Sequence, residues 1–123
     1  METGLTHTST MEVTADKTAA SVGSGDMPVL ATPMMMALME NAAMLCVADS
    51  LEEGCTTVGG QIASSHIKPT GIGRTVKATA ELIEVDGRKL KFRVSAEDEE
   101  GLIGEGEHLR FIVGAEKFMS KVK

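Results

Sequence analysis

The sequence predicts an α+β fold, an antiparallel sheet of about five strands wrapped around one long buried helix. The run Met34 to Ala48 carries only Glu40 and Asn41 as polar side chains, and a helix apolar almost all round belongs in an interior. Beyond Thr56 the chain alternates apolar and polar residues in segments divided by Asp86-Gly87 and Glu99-Glu100-Gly101, the pattern of strands joined by tight turns. At 123 residues the chain is a single domain, and a curved sheet is the covering such a helix needs.

The elements follow in order. Met1 to Thr6 is expected to fray. Thr8 to Val13, rich in Thr and β-branched residues, reads as a first strand. Ala19 to Asp26 reads as a loop on its glycines and small polar residues. Thr32-Pro33 opens the helix, with Thr32 as N-cap and Pro33 at the first helical position, and Glu53-Gly54 marks its end after about Ser50 or Leu51. Thr56 to Ile67 is a strand whose Gly59-Gly60 pair predicts a bulge or a close backbone approach. Thr75 to Val85 puts Val76, Ala78, Ala80 and Leu82 on one face. The next strand does the same with Leu90, Phe92, Val94 and Ala96. Leu102 to Val113 is the last strand, with Leu109, Phe111 and Val113 sharing a face, and Glu116 to Lys123 is a short basic tail. This order of strand, buried helix and antiparallel meander is the layout of a hotdog fold. It leaves at least one strand edge for a second subunit, so a homodimer is expected.

Composition narrows the function. With three Phe, no Tyr and no Trp, the chain lacks the stacking platforms of a single-strand nucleic-acid binder. A net charge of −6 opposes phosphate-backbone binding. The apolar helix falls short of the about 20 residues a membrane span requires, so neither nucleic acid nor membrane is an expected partner. Cys46 and Cys55 have no metal or redox spacing. Two reduced thiols and the absence of a signal peptide predict cytoplasmic residence. No metal or cofactor is called for.

Glu40 is the first candidate for chemistry, because burying an ionised carboxylate without a partner costs several kcal/mol. His66, read at the end of the long strand, is the natural proton carrier near neutral pH. Thr32 is either a plain helix cap or a member of the same site. The Gly59-Gly60 pair offers a backbone N–H for a carbonyl oxygen. Thr32 and Glu40 stand eight positions apart, roughly 12 Å along a helix at 1.5 Å per residue. Either the helix begins later and the Thr32 loop folds back, or one group acts across a dimer interface.

Val29 to Pro33 (Val-Leu-Ala-Thr-Pro), Ala37 to Glu40 (Ala-Leu-Met-Glu), the Ser-Ser-His ending at His66 and the Glu-Lys-Phe of Glu116 to Phe118 resemble the fluoroacetyl-CoA thioesterase family of hotdog proteins. The resemblance runs from about Ser21 to the C-terminus. It implies a catalytic set of Thr32, Glu40 and His66, which match in residue type and in both spacings. Gly59, seven before the His, matches as well, as do His108 and Arg110 in the last strand. The implied activity is hydrolysis of an acyl-CoA to free acid and CoA, with Glu40 as nucleophile or as the base that activates water. His66 then moves the proton, Thr32 orients substrate or Glu40, and Gly59-Gly60 holds the thioester oxygen. Arg110 and the basic tail are expected at the CoA phosphates, with His108 beside them. One departure matters. The fluoroacetate-specific member carries bulky phenylalanines before its Thr, whereas Gly23 to Leu30 has none. Met34-Met35-Met36, flexible and polarisable, is expected to line the pocket through Met36. A more general short- or medium-chain acyl-CoA hydrolase is therefore expected. A non-catalytic acyl-CoA-binding module and an enoyl-CoA hydratase are the alternatives.

Overall fold

The computed structural model describes all residues from Met1 to Lys123. Its strands are β1 (Thr6–Glu12), β2 (Cys55–Ser64), β3 (Thr75–Asp86), β4 (Lys89–Asp98) and β5 (Gly101–Gly114). They form one antiparallel sheet in the order β1-β3-β4-β5-β2. The helices are α1 (Ala19–Val22), α2 (Thr32–Ala48) and α3 (Ala115–Met119). The expected fold class holds. Val76, Ala78, Ala80 and Leu82 of β3, and Leu90, Phe92, Val94 and Ala96 of β4, are all at most 1% exposed. They pack against Met35, Leu38, Met39, Ala42, Ala43 and Val47 of α2. The alanines on the sheet keep its surface low, so the helix seats closely.

Several boundaries differ from the sequence reading, each for a local reason. Gly4 and Leu5, expected to fray, exchange backbone hydrogen bonds with Leu82 at 2.9 Å each. Ala19–Val22 forms a single helical turn, capped by the Thr18 hydroxyl and closed by Gly23 at φ 81°. The basic tail begins as a short helix, Ala115–Met119. The cap of α2 is Ala31, not Thr32. Leu30 donates to the Thr70 carbonyl and Ala31 to that of Lys17, both at 2.9 Å, which holds the chain extended up to Ala31. Thr32 is thus the first helical residue, and its hydroxyl is free for another task.

The inner face of β5 is the reverse of the expected one. Register with β4 pairs Leu90 with Arg110 and Phe92 with His108, so Arg110 and His108 point inward while Leu109, Phe111 and Val113 face outward. The apolar pattern misleads because this stretch of the inner face meets a polar group of the helix instead of the core. Nor does the sheet enclose α2 fully. Pro33, Ala37, Asn41, Leu45 and Ala48 remain exposed along the far side of the helix.

Candidate active site

The sequence-derived residues fall into two groups at different points along α2. The first is Thr32 with His66. His66 lies beyond β2, not within it, on an irregular run fastened to β5 through Ser65 N–H to Glu105 O and Ile67 N–H to Ile103 O. Space for this crossing comes from Gly104 and Gly106. A Cβ on Gly104 would lie 2.4 Å from the Ser65 carbonyl, and one on Gly106 would lie 1.9 Å from that of Ala63. The run then delivers His66 Nδ1 to 2.7 Å from Thr32 Oγ1. The other ring nitrogen, Nε2, is buried and has no partner. Burial pushes the His66 ring below the ordinary imidazole value, opposed by the Lys68 backbone, so the ring is neutral at pH 7. Whichever tautomer Thr32 selects, Nε2 is the nitrogen left for chemistry. A cavity of about 390 Å³ opens beside the pair, lined among others by Ser24, Gly25, Asp26, Met27 and Lys68.

The second group surrounds Glu40, which is half-buried near Gly59, His108 and Arg110. Gly59 occupies the predicted bulge, which displaces the β2–β5 register between Gly59 and Gln61. A Cβ there would stand 2.8 Å from Glu40 Oε2 and 3.4 Å from His108 Cε1. Only glycine lets the carboxylate come this close to the strand. Replacing Gly59 with Ala is therefore expected to move the flexible carboxylate and leave the backbone in place. Activity should fall about 10- to 100-fold, the size of effect an ångström-scale misplacement causes, with thermal stability nearly unchanged. Paired kcat and melting measurements check this.

Behind Glu40 the donors and acceptors are fully assigned. Arg110 donates from Nε to Thr57 Oγ1 at 2.8 Å and from Nη2 to the Thr57 carbonyl at 2.9 Å. Its Nη1 stands 3.2 Å from His108 Nε2. Guanidinium only donates, so Nε2 accepts. His108 Nδ1 then carries the hydrogen and gives it to the Gln61 carbonyl at 2.7 Å. Burial lowers the His108 pKa and the Arg110 charge adds to this, while the Gln61 carbonyl and Glu40 pull the other way. The ring is a neutral spacer that holds Arg110 toward Glu40.

The positions of the remaining sequence-derived residues follow from the same packing. Arg110 is 6% exposed and His108 1%, so neither is placed to meet a CoA phosphate; their polar atoms are spent inside the protein. Met36, one helical turn beyond Thr32, packs partly against the core and is not among the residues lining the cavity at Thr32 and His66. Thr32 and Glu40 both lie within one regular helix, so the folded-back loop is ruled out and the two cannot touch within a chain. Sequence reasoning missed Thr57, Gln61 and the cavity wall of Met27 and Lys68. Thr57 and Gln61 act partly through backbone carbonyls, which carry no residue signature.

The profile of the fluoroacetyl-CoA-specific thioesterases matches residues 13–116. The chain belongs to this family. Fluoroacetyl-CoA thioesterase of Streptantibioticus cattleyicolor is 44% identical over 95 residues, covering 77% of this chain and 68% of that protein. A crystal structure of a mutant fluoroacetyl-CoA-specific thioesterase in complex with fluoroacetate and CoA superposes with a TM-score of 0.87 at 38% identity, covering 96% of this chain and 99% of that one. A hot-dog-like protein from Thermanaerovibrio acidaminovorans superposes with a TM-score of 0.89 over 99% of this chain and 90% of its own, and at 20% identity it shares the fold alone. As a member of the fluoroacetyl-CoA-specific thioesterase family, the chain is a thioester hydrolase with a hotdog fold. No helix is long and apolar enough to cross a membrane.

Proposed function

We propose that this protein hydrolyses short- or medium-chain acyl-CoA thioesters, with Thr32 and His66 of one chain and Glu40 of a second copy forming each site. The observation that carries the reading is the 2.7 Å Thr32–His66 contact with a buried, unpartnered Nε2 beside an open cavity. A buried polar nitrogen without a partner is costly, and a substrate-bound proton path gives it one. In the reaction, the Glu40 carboxylate takes a proton from water as the water oxygen adds to the thioester carbon. Alternatively the carboxylate adds itself, and water then opens the acyl-enzyme. In the first route the carbon–sulfur bond breaks and the proton passes from Glu40 through His66 Nε2 to the CoA thiolate while Nδ1–H donates to Thr32 Oγ1. In the second the thiolate leaves first, and His66 Nε2 passes it the proton of the water that later opens the acyl-enzyme. A backbone N–H near Gly59-Gly60 supports the carbonyl oxygen. Exposed Arg88, Lys117 and Lys121, around a hollow of about 160 Å³ beside Phe118, suit the CoA phosphates.

The second copy is part of the proposal because the far side of α2 is apolar and open, with Leu45 43% exposed, and because β2 has one unpaired edge. Cytoplasmic residence rests on the two free thiols, Cys46 and Cys55. The acyl preference rests on the cavity wall, which contains no phenylalanine, tyrosine or tryptophan and includes Gly25 and Asp26. The test is release of free thiol across a panel of acyl-CoAs. Short- and medium-chain substrates should turn over, and fluoroacetyl-CoA should show no preference over acetyl-CoA. Tight binding without turnover, or a strong fluoroacetyl preference, would remove the reading.

A further inference from the structure

We propose that Asp98, at the β4–β5 turn, is the positioning residue for the Thr32–His66 pair. This rests on the proposed role of that pair. The Asp98 side chain is only 5% exposed, yet it carries a charge, which requires strong partners. It accepts from Lys68 Nζ at 3.0 and 3.3 Å, from Thr70 Oγ1 at 2.9 Å and from the Glu100 N–H at 2.8 Å. Lys68 and Thr70 belong to the irregular run that carries His66, and Thr70 is itself buried. The Thr70 carbonyl in turn accepts from Leu30 N–H at 2.9 Å, two residues before Thr32. One carboxylate thus clamps both strands of chain that bring the hydroxyl to the imidazole. Neighbouring Glu99 reinforces the turn by accepting from Thr75 N–H at 3.2 Å.

The clamp also governs the cavity. Lys68 lines it, and its ammonium is drawn toward Asp98, with the Glu100 carboxylate 3.8 Å away as a second opposite charge. Without Asp98 that flexible cation is released beside the reacting thioester. The His66 run then loses its hydrogen-bonded side-chain anchor to the β4–β5 turn, keeping the bonds of Ser65 and Ile67 to β5 and of Thr70 to Leu30. A one-ångström drift between Thr32 and His66 is enough to cost a large factor in rate.

The experiment compares Asp98→Ala, Asp98→Asn, Thr70→Val and His66→Ala in kcat, KM and melting temperature with an acyl-CoA the wild type hydrolyses. Asp98→Ala should lower kcat about 10- to 100-fold with KM changed much less. Asp98→Asn keeps one acceptor oxygen and so can retain the Thr70 or the Glu100 bond, which fall on different carboxylate oxygens, but not both; it should recover part of the loss. Thr70→Val, which keeps side-chain volume, should lower kcat in the same direction and covers the case in which Asp98→Ala does not fold. Wild-type kcat in Asp98→Ala or in Thr70→Val overturns the clamp. A loss that tracks melting temperature alone, with no recovery by Asn, also overturns it. His66→Ala separates the two levels: an inactive His66→Ala beside fully active clamp variants sinks only the clamp, whereas an active His66→Ala sinks the reading of the site itself.

Discussion

Glu40→Gln is expected to lower kcat about 10³-fold, within the range for loss of a positioned general base or nucleophile, while the fold stays intact. The amide keeps the shape of the side chain beside Gly59, so a loss reports on chemistry and not on packing. Combining this variant with His66→Ala tests where the two halves of the site meet. Each variant alone should be nearly inactive. When the two chains are unfolded and refolded together in equal amounts, half the dimers are mixed, and each mixed dimer has one site with both groups intact. About a quarter of wild-type activity should return if the subunits pair at random. If the halves met within one chain, no mixture would recover activity. The geometry favours recovery, because Thr32 and Glu40 are held apart by two turns of one helix.

His66→Ala should cost a similar factor, about 10²- to 10⁴-fold in kcat, and should also change the pH profile. Burial lowers the His66 pKa, so the neutral, proton-accepting ring persists to more acid pH than a free imidazole. Wild-type activity should hold down to about pH 6.5, the ordinary value for histidine, and fall only below it. The residual activity of His66→Ala should lack that acid limb. Stability follows the same sign. His66 and His108 both have lowered values when folded. Between those values and about 6.5 the unfolded chain binds more protons. Their contribution to stability is therefore complete above that pH and is lost as pH falls through the folded values. Melting curves across this range check the stability, and kcat/KM profiles check the activity.

The fold was largely legible because its cues are local. The alternation in β3 and β4, the Asp86-Gly87 turn and the Gly59-Gly60 bulge all appear where the residues indicated. Pro33 marked the helix start to within a residue, but extended pairing of Leu30 and Ala31 with Thr70 and Lys17 decided the cap. The face of β5 was read backwards because hydrophobicity favoured Leu109 and Phe111, whereas the inner face needed His108 and Arg110 for a polar partnership with α2. Within the site, the residue types were legible and their grouping was not. Thr32 meets His66 through a crossing that depends on glycines at 104 and 106, a contact over long range that spacing does not encode. Asp98 resembles its neighbours Glu99 and Glu100 in sequence; only burial distinguishes it.

The single helix carrying both Thr32 and Glu40 constrains how chain length can vary. Adding or deleting one residue between them would turn the carboxylate about 100° around the axis and slide it about 1.5 Å, taking it off the face that meets Gly59. The link from α2 to β2, with Gly54 in a left-handed turn at φ 82°, is a surface connection where extra residues cost little. Natural length differences among related chains should therefore gather at that turn and stay out of the interval from Thr32 to Glu40.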